Sequence, residues 1–119
     1  MERLIKEYAD FLLNESASSM SFQEFAKARL AGATKIAEAA KEKGGPAMLT
    51  YHHFNPKLPY YKKAAEGKFD LDKFQKELND NLKKLNSGLS GNISMKQVEF
   101  QKVMGIIEVL GELIIKNKS

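Results

Sequence analysis

From Leu71 to Leu85 the apolar residues Leu71, Phe74, Leu78, Leu82 and Leu85 recur every three or four positions, with polar residues between them. At 3.6 residues per turn, that spacing stacks them on one face of an α-helix, and the stripe reads as core. Asp70 precedes it as an N-cap, and Phe69 and Phe74 have the spacing of a hydrophobic staple.

Three more segments carry the same period. From Glu2 to about Asn14, Leu4, Ile5, Tyr8, Phe11 and Leu12 give one apolar face, followed by a polar joint at Glu15 to Ser19. Ser21 and Glu24 have capping-box spacing, with Met20 and Phe25 as a staple. The helix they open continues through Phe22, Ala26, Leu30, Ala33, Ile36, Ala37 and Ala40, and its alanines predict close approach of a neighbour. Gly44-Gly45 ends it, since glycine takes the left-handed cap conformation without penalty. A last helix is expected from Met95 to about Lys116, capped by Ser94 with Gln97 and stapled by Ile93 with Val98. Its second half, Val103 to Ile115, is apolar nearly all round, so it is either the centre of the core or covered by a second subunit. The second alternative predicts a homo-oligomer, most simply a dimer. Gly105 and Gly111 are expected to permit close helix contact.

The stretch between the second and third of these helices is punctuated by all three prolines. Pro46 can start a short helix to about Phe54. Asn55-Pro56 and Leu58-Pro59 predict turns, because the residue before proline is pushed out of helical geometry. A turn or two of helix from Pro59 to Glu66 would stop at Gly67. Ser87 to Asn92 reads as a loop. No segment alternates convincingly at strand period. The expected fold is therefore all-α: a single domain over residues 1–119, with about four long helices in a bundle and a short Pro/Gly-punctuated helical insert.

With 119 residues the chain can bury a core without covalent staples, and the absence of cysteine excludes a disulfide scaffold, thiol catalysis and cysteine-ligated zinc. The longest oily stretch, Met104 to Ile115, is interrupted by Glu108 and Glu112 and falls short of the roughly 20 residues of a membrane span. The opening Met1-Glu2-Arg3 leads into a charged helical pattern rather than a signal peptide. No membrane partner is expected.

Charge is unevenly placed. Lys41, Lys43, Lys57, Lys62 and Lys63 stand against the single acid Glu42, so this stretch carries the whole net charge of +4. It also holds both histidines and three of the four tyrosines. A glycine pair leading into a Pro-started helix exposes backbone N–H groups to an anion. The candidate ligand-binding residues are Lys41, Lys43, Gly44, Gly45, Thr50, Tyr51, His52, His53, Tyr60, Tyr61 and Lys62. Charge, stacking faces and polar tips in that mixture suit a small anionic ligand, a phosphate joined to an aromatic base. The plainer reading of Gly-Gly-Pro is a helix stop followed by a helix start. No Gly-Lys-Ser/Thr follows, so this is not a Walker loop. His52 and His53 are adjacent and point about 100° apart, which disfavours shared chelation, and no metal or other cofactor is expected. No Ser-His-acid arrangement or partner carboxylate for either histidine is legible, so no catalytic residue is assigned and binding is expected rather than catalysis. Tyr60-Tyr61-Lys62-Lys63 has the texture of nucleic-acid surfaces, but the balanced charge elsewhere argues against nucleic acid.

Two stretches resemble known proteins. Leu4-Ile-Lys-Glu-Tyr-Ala-Asp-Phe-Leu-Leu-Asn-Glu-Ser is similar to the start of many small proteins of contractile-tailed phages. Lys43-Gly-Gly-Pro-Ala-Met-Leu-Thr-Tyr-His-His-Phe, with Leu58-Pro-Tyr-Tyr-Lys-Lys-Ala, resembles a family of small uncharacterised phage and bacterial proteins. The resemblance implies an accessory protein acting in the host cytoplasm. One such role is sequestering a nucleotide signal of host immunity, as phage sponge proteins do. The alternative is a structural or host-protein-binding module using the apolar C-terminal helix.

Overall fold

The computed structural model describes residues 20–91 and 95–118. The expected helix from Glu2 to Asn14, the Ser94–Gln97 box and the Ile93–Val98 staple lie outside the described residues. Among those described there is no strand, and the fold is an all-α bundle.

Helix α1 (Phe22–Lys43) starts as its sequence predicts: the Ser21 hydroxyl accepts from the Glu24 amide at 3.1 Å. It stops at Gly44, whose φ of 67° is left-handed and whose N–H returns to the Ala40 carbonyl at 3.0 Å. Gly45 is left-handed as well, with φ of 57°. A 3-10 turn (Gly45–Ala47) leads into α2 (Met48–Phe54), and a second (Asn55–Lys57) leads into α3 (Leu58–Ala65).

The breaks expected before Pro56 and Pro59 do not form. Asn55 (φ −58°, ψ −41°) and Leu58 (φ −58°, ψ −46°) are both helical. Each proline occupies the first turn of a new helical piece, where its missing N–H has no partner to lose. The chain therefore winds from Gly45 to Ala65 without an extended residue.

Asp70 caps α4 (Leu71–Leu89), its Oδ1 accepting from the Lys73 amide at 3.2 Å, and the Phe69 and Phe74 rings meet edge-on at 4.8 Å. The helix runs through Ser87, Gly88 and Leu89, which local composition had marked as loop, and gives way at Gly91 (φ 80°). Helix α5 (Gln97–Asn117) returns along α4.

The insert is the middle of the bundle rather than an appendage. Helix α1 packs along α2 and α3, α2 packs on α5, and α1 and α5 have little direct contact. Two sets of small residues permit this. Ala26, Ala33, Ala37 and Ala40 are buried on α1, and Ala64 is buried on α3. On α5, Gly105 lies so close to the His53 carbonyl that a Cβ there would collide with it. Gly111 has no such role: among the described residues, no other element comes within 4 Å of where its Cβ would be. Val109, Leu110 and Leu113 are fully buried, which places the oily half of α5 at the centre of the core. The α4 stripe is only partly core: Phe74 is buried, Leu71 and Leu78 pack against the core, and Leu82 is exposed.

Candidate functional site

Because α2 and α3 stand between α1 and α5, the two long helices leave an open cleft of about 420 Å³. Its apolar lining comes from Ala28, Gly32, Ala33 and Ile36 of α1 with Phe54 at the end of α2. Among the described residues, no other element comes within 4 Å of the Gly32 Cβ position, so the opening persists where a larger residue would fill it. The polar lining is Arg29, Lys57, Tyr61, Glu108 and Glu112.

Glu108 and Glu112 are four residues apart on α5 and share a face. Glu108 accepts from Lys57 Nζ at 2.6 Å through Oε1 and pairs with His53 Nε2 at 3.1 Å through Oε2. Glu112 Oε1 accepts from the Tyr61 hydroxyl at 2.8 Å. Arg29 Nε lies 3.2 Å from the same oxygen, yet makes no directed hydrogen bond, so that contact is electrostatic. Lys57 is only 3% exposed, and its ammonium also sits over the Phe54 ring at 4.5 Å.

The network sets protonation. Burial pushes the Glu108 carboxyl up, but the Lys57 hydrogen bond and charge, helped by His53, outweigh it and hold the group below its ordinary value. Burial, then the Glu112 charge and hydrogen bond, push the Tyr61 phenol well above its ordinary value, so it serves as a neutral donor. His53 Nε2 faces Glu108, while Nδ1 is buried with no hydrogen-bond partner among the described residues. Neither ring nitrogen is presented to the cleft as a base.

The residues singled out in the sequence are dispersed. Tyr61 lines the cleft, and His53 reaches it through Glu108. Thr50 and His53 line a shallower hollow with Leu49, Phe54 and Gln101. Lys41 Nζ lies 5.8 Å from the centre of the Tyr51 ring, which meets His52 edge-on at 5.3 Å. Tyr60 points to α4, edge-on to Phe74 at 5.6 Å, and its phenol is raised by burial and then by Glu77. Lys43 and Lys62 are exposed.

The Gly44-Gly45-Pro46 turn uses its own amides. The Gly44 N–H bonds Ala40, that of Ala47 bonds Gly44, and that of Met48 bonds Gly45 and Pro46. Pro46 has none, which leaves the Gly45 N–H as the turn's remaining donor.

Arg29, Phe54, Lys57, Glu108 and Glu112 were not singled out. A signal existed for the carboxylates: two acids at helical spacing inside an oily helix must face a cation or solvent. Lys57, between Pro56 and Leu58, stood out only as one of the lysines that carry the net charge, with nothing to mark its burial. Among the described residues no group of three or more His, Asp or Glu side chains is placed to hold a metal ion. No described helix is long and apolar enough to cross a membrane. Comparison with known proteins finds no matching family model, no similar curated protein and no similar solved structure.

Proposed function

We propose that the protein is a non-catalytic binding protein that sequesters a phosphate-bearing small ligand, of which a nucleotide is the type that best suits the cleft. The observation that carries this reading is the meeting of Arg29, Lys57 and the Tyr61 hydroxyl with the Phe54 ring in one hollow of small-ligand size. In this reading the phosphate takes the place of carboxylate oxygens on Lys57 and Arg29. Glu108, whose side chain is 55% exposed, turns out to solvent as it enters. An aromatic base lies against Phe54 and Ile36. Binding is favoured over catalysis because His53 Nε2 is paired with Glu108, its Nδ1 is buried, and Tyr61 stays protonated. The resemblance of the central segment to small phage proteins supports an accessory role in the host cytoplasm, with a nucleotide immune signal as the sequestered ligand.

Calorimetry with linear and cyclic nucleotides tests the reading. Arg29→Gln and Lys57→Met should each weaken binding about tenfold or more, the typical value of one charge-assisted contact. Glu108→Gln removes the competing carboxylate and should tighten it. Lys43→Ala and Tyr60→Ala, away from the cleft, should have little effect; if these two are the damaging changes, the ligand sits at the glycine turn instead. Absence of nucleotide binding by the wild type ends the ligand reading.

A homo-oligomer belongs to the same proposal. Sedimentation at micromolar concentration checks it, and a species of monomer mass throughout removes it. A second reading, a protein-binding module, draws on exposed apolar residues elsewhere: Leu82, Leu89 and Val98.

A further inference from the structure

The chain enters the described fold at Met20, and a buried cation fixes the entry. Lys116, 7% exposed near the end of α5, donates from Nζ to the Met20 carbonyl at 3.1 Å. The same ammonium lies 5.6 Å from the centre of the Phe25 ring, and the Arg29 guanidinium lies 5.1 Å from it. Arg29 in turn stands beside Glu112. Phe25 and Arg29 are about one turn apart on α1, as Lys116, Glu112 and Glu108 are on α5, so each helix shows the same side at Met20 and at the cleft. The entry point and the cleft are therefore continuous. The α1 wall of the cleft is low and uncovered: Ala28, Gly32 and Ile36 line it at four-residue spacing, and all three are exposed. At the rise of an α-helix they form a strip about 12 Å long.

We propose that the cleft is the docking surface of the chain's own N-terminal segment: residues 2–14 fold back at the polar joint of residues 15–19 and set their apolar stripe against the α1 wall. Three observations select that occupant. The first is length. The stripe from Leu4 to Leu12 spans eight residues, as the strip from Ala28 to Ile36 does. The second is reach. The strip runs from about 9 Å to about 21 Å beyond Phe22 along α1, and residues 2–14 make about 20 Å of helix, so a segment turned back at the joint comes level with it. The third is fit. Ala28 and Gly32 let a helix seat closely on α1, as the buried alanines of α1 do for α2 and α3. A tether this short holds the segment at an effective concentration on the order of millimolar, so modest apolar contact is enough to seat it. The docking does not depend on the ligand reading, and a ligand of the cleft has to displace the segment.

The chain has no cysteine, so introduced thiols report on the cleft without background. In the full chain, Ile36→Cys should react with a maleimide at least about tenfold more slowly than Lys43→Cys, an exposed position past the reach of the segment. Adding Leu4→Asp with Phe11→Asp should bring the two rates to within about twofold. A second measurement needs no charged substitution. A short bismaleimide should join Leu4→Cys to Ile36→Cys in a product of monomer mass. It should leave Leu4→Cys and Leu89→Cys unjoined, since Leu89 ends α4 beside the start of α5, the end away from Lys116. Ile36→Cys as reactive as Lys43→Cys overturns the proposal, as does a slow rate that the two aspartates leave unchanged. So does equal joining of the two cysteine pairs, or a product of dimer mass alone, which would make the occupant the segment of a second copy. Neither measurement contains a nucleotide, so its failure is distinct from failure of the ligand reading.

Discussion

Glu108 holds two residues of the insert at once, and its protonation is therefore a stability matter. Its folded carboxyl titrates below the ordinary value of 4.5, so the stability it contributes is complete above that value and lost as pH falls through the lower folded one. Urea unfolding from neutral pH down to about pH 3 should show that loss, and Glu108→Gln should flatten the profile. Tyr61 has the opposite sign. Its folded pKa is raised, so its contribution is complete below the ordinary 10.0 and lost as pH rises above it. Tyr61→Phe should cost about 1 kcal/mol at neutral pH and reduce the alkaline sensitivity. The two glycines of α5 separate equally cleanly. Gly105→Ala drives a methyl into the His53 backbone and should destabilise by about 1–3 kcal/mol. Gly111→Ala meets open space and should gain roughly 0.5–1 kcal/mol from helix propensity. Chemical denaturation of the pair reads both signs.

Among the elements, the end of α1 and the start of α4 are each set by a single residue. Asp70→Ala removes the acceptor for the Lys73 amide and should cost about 1 kcal/mol, visible as a lower urea midpoint. Gly44→Ala forces a side chain into left-handed geometry at φ 67° and should cost about 1–2 kcal/mol. Both outcomes were implicit in the sequence, because caps act within four residues of themselves. The prolines of the insert show where local reasoning stops. A proline before a turn and a proline opening a helix look alike in sequence. Packing of α2 and α3 between α1 and α5 favoured the second. In the same way the α4 stripe predicts its helix correctly but not its burial, since a stripe states which face is apolar and not how far the neighbour extends along it.

For the whole molecule, the insert decides the architecture. It keeps α1 and α5 apart, and that separation creates the cleft. Protection should follow the same geometry. Native-state hydrogen exchange is expected to be slowest in α5 from Val109 to Ile114, at the centre of the core, and fastest at the end of α4 from Ser87 to Leu89. Uniform protection across α4 and α5 would contradict this picture of where the core sits.

By itself the sequence determined the helical period, the caps at Ser21 and Asp70, the Phe69–Phe74 staple and the stop at Gly44, because each depends on residues within about one turn of one another. It also marked the central stretch as unusual and picked out His53 and Tyr61. It could not show their partners: Glu108 is 55 residues from His53 and 51 from Lys57, and Glu112 is 51 from Tyr61. Only the tertiary structure decided that those carboxylates would meet the insert, that Arg29 would stand beside Glu112, and that Tyr60 and Tyr61 would point to different helices. The physical reason is that a charge inside an oily helix must face a cation or solvent, while which it meets depends on how the helices cross.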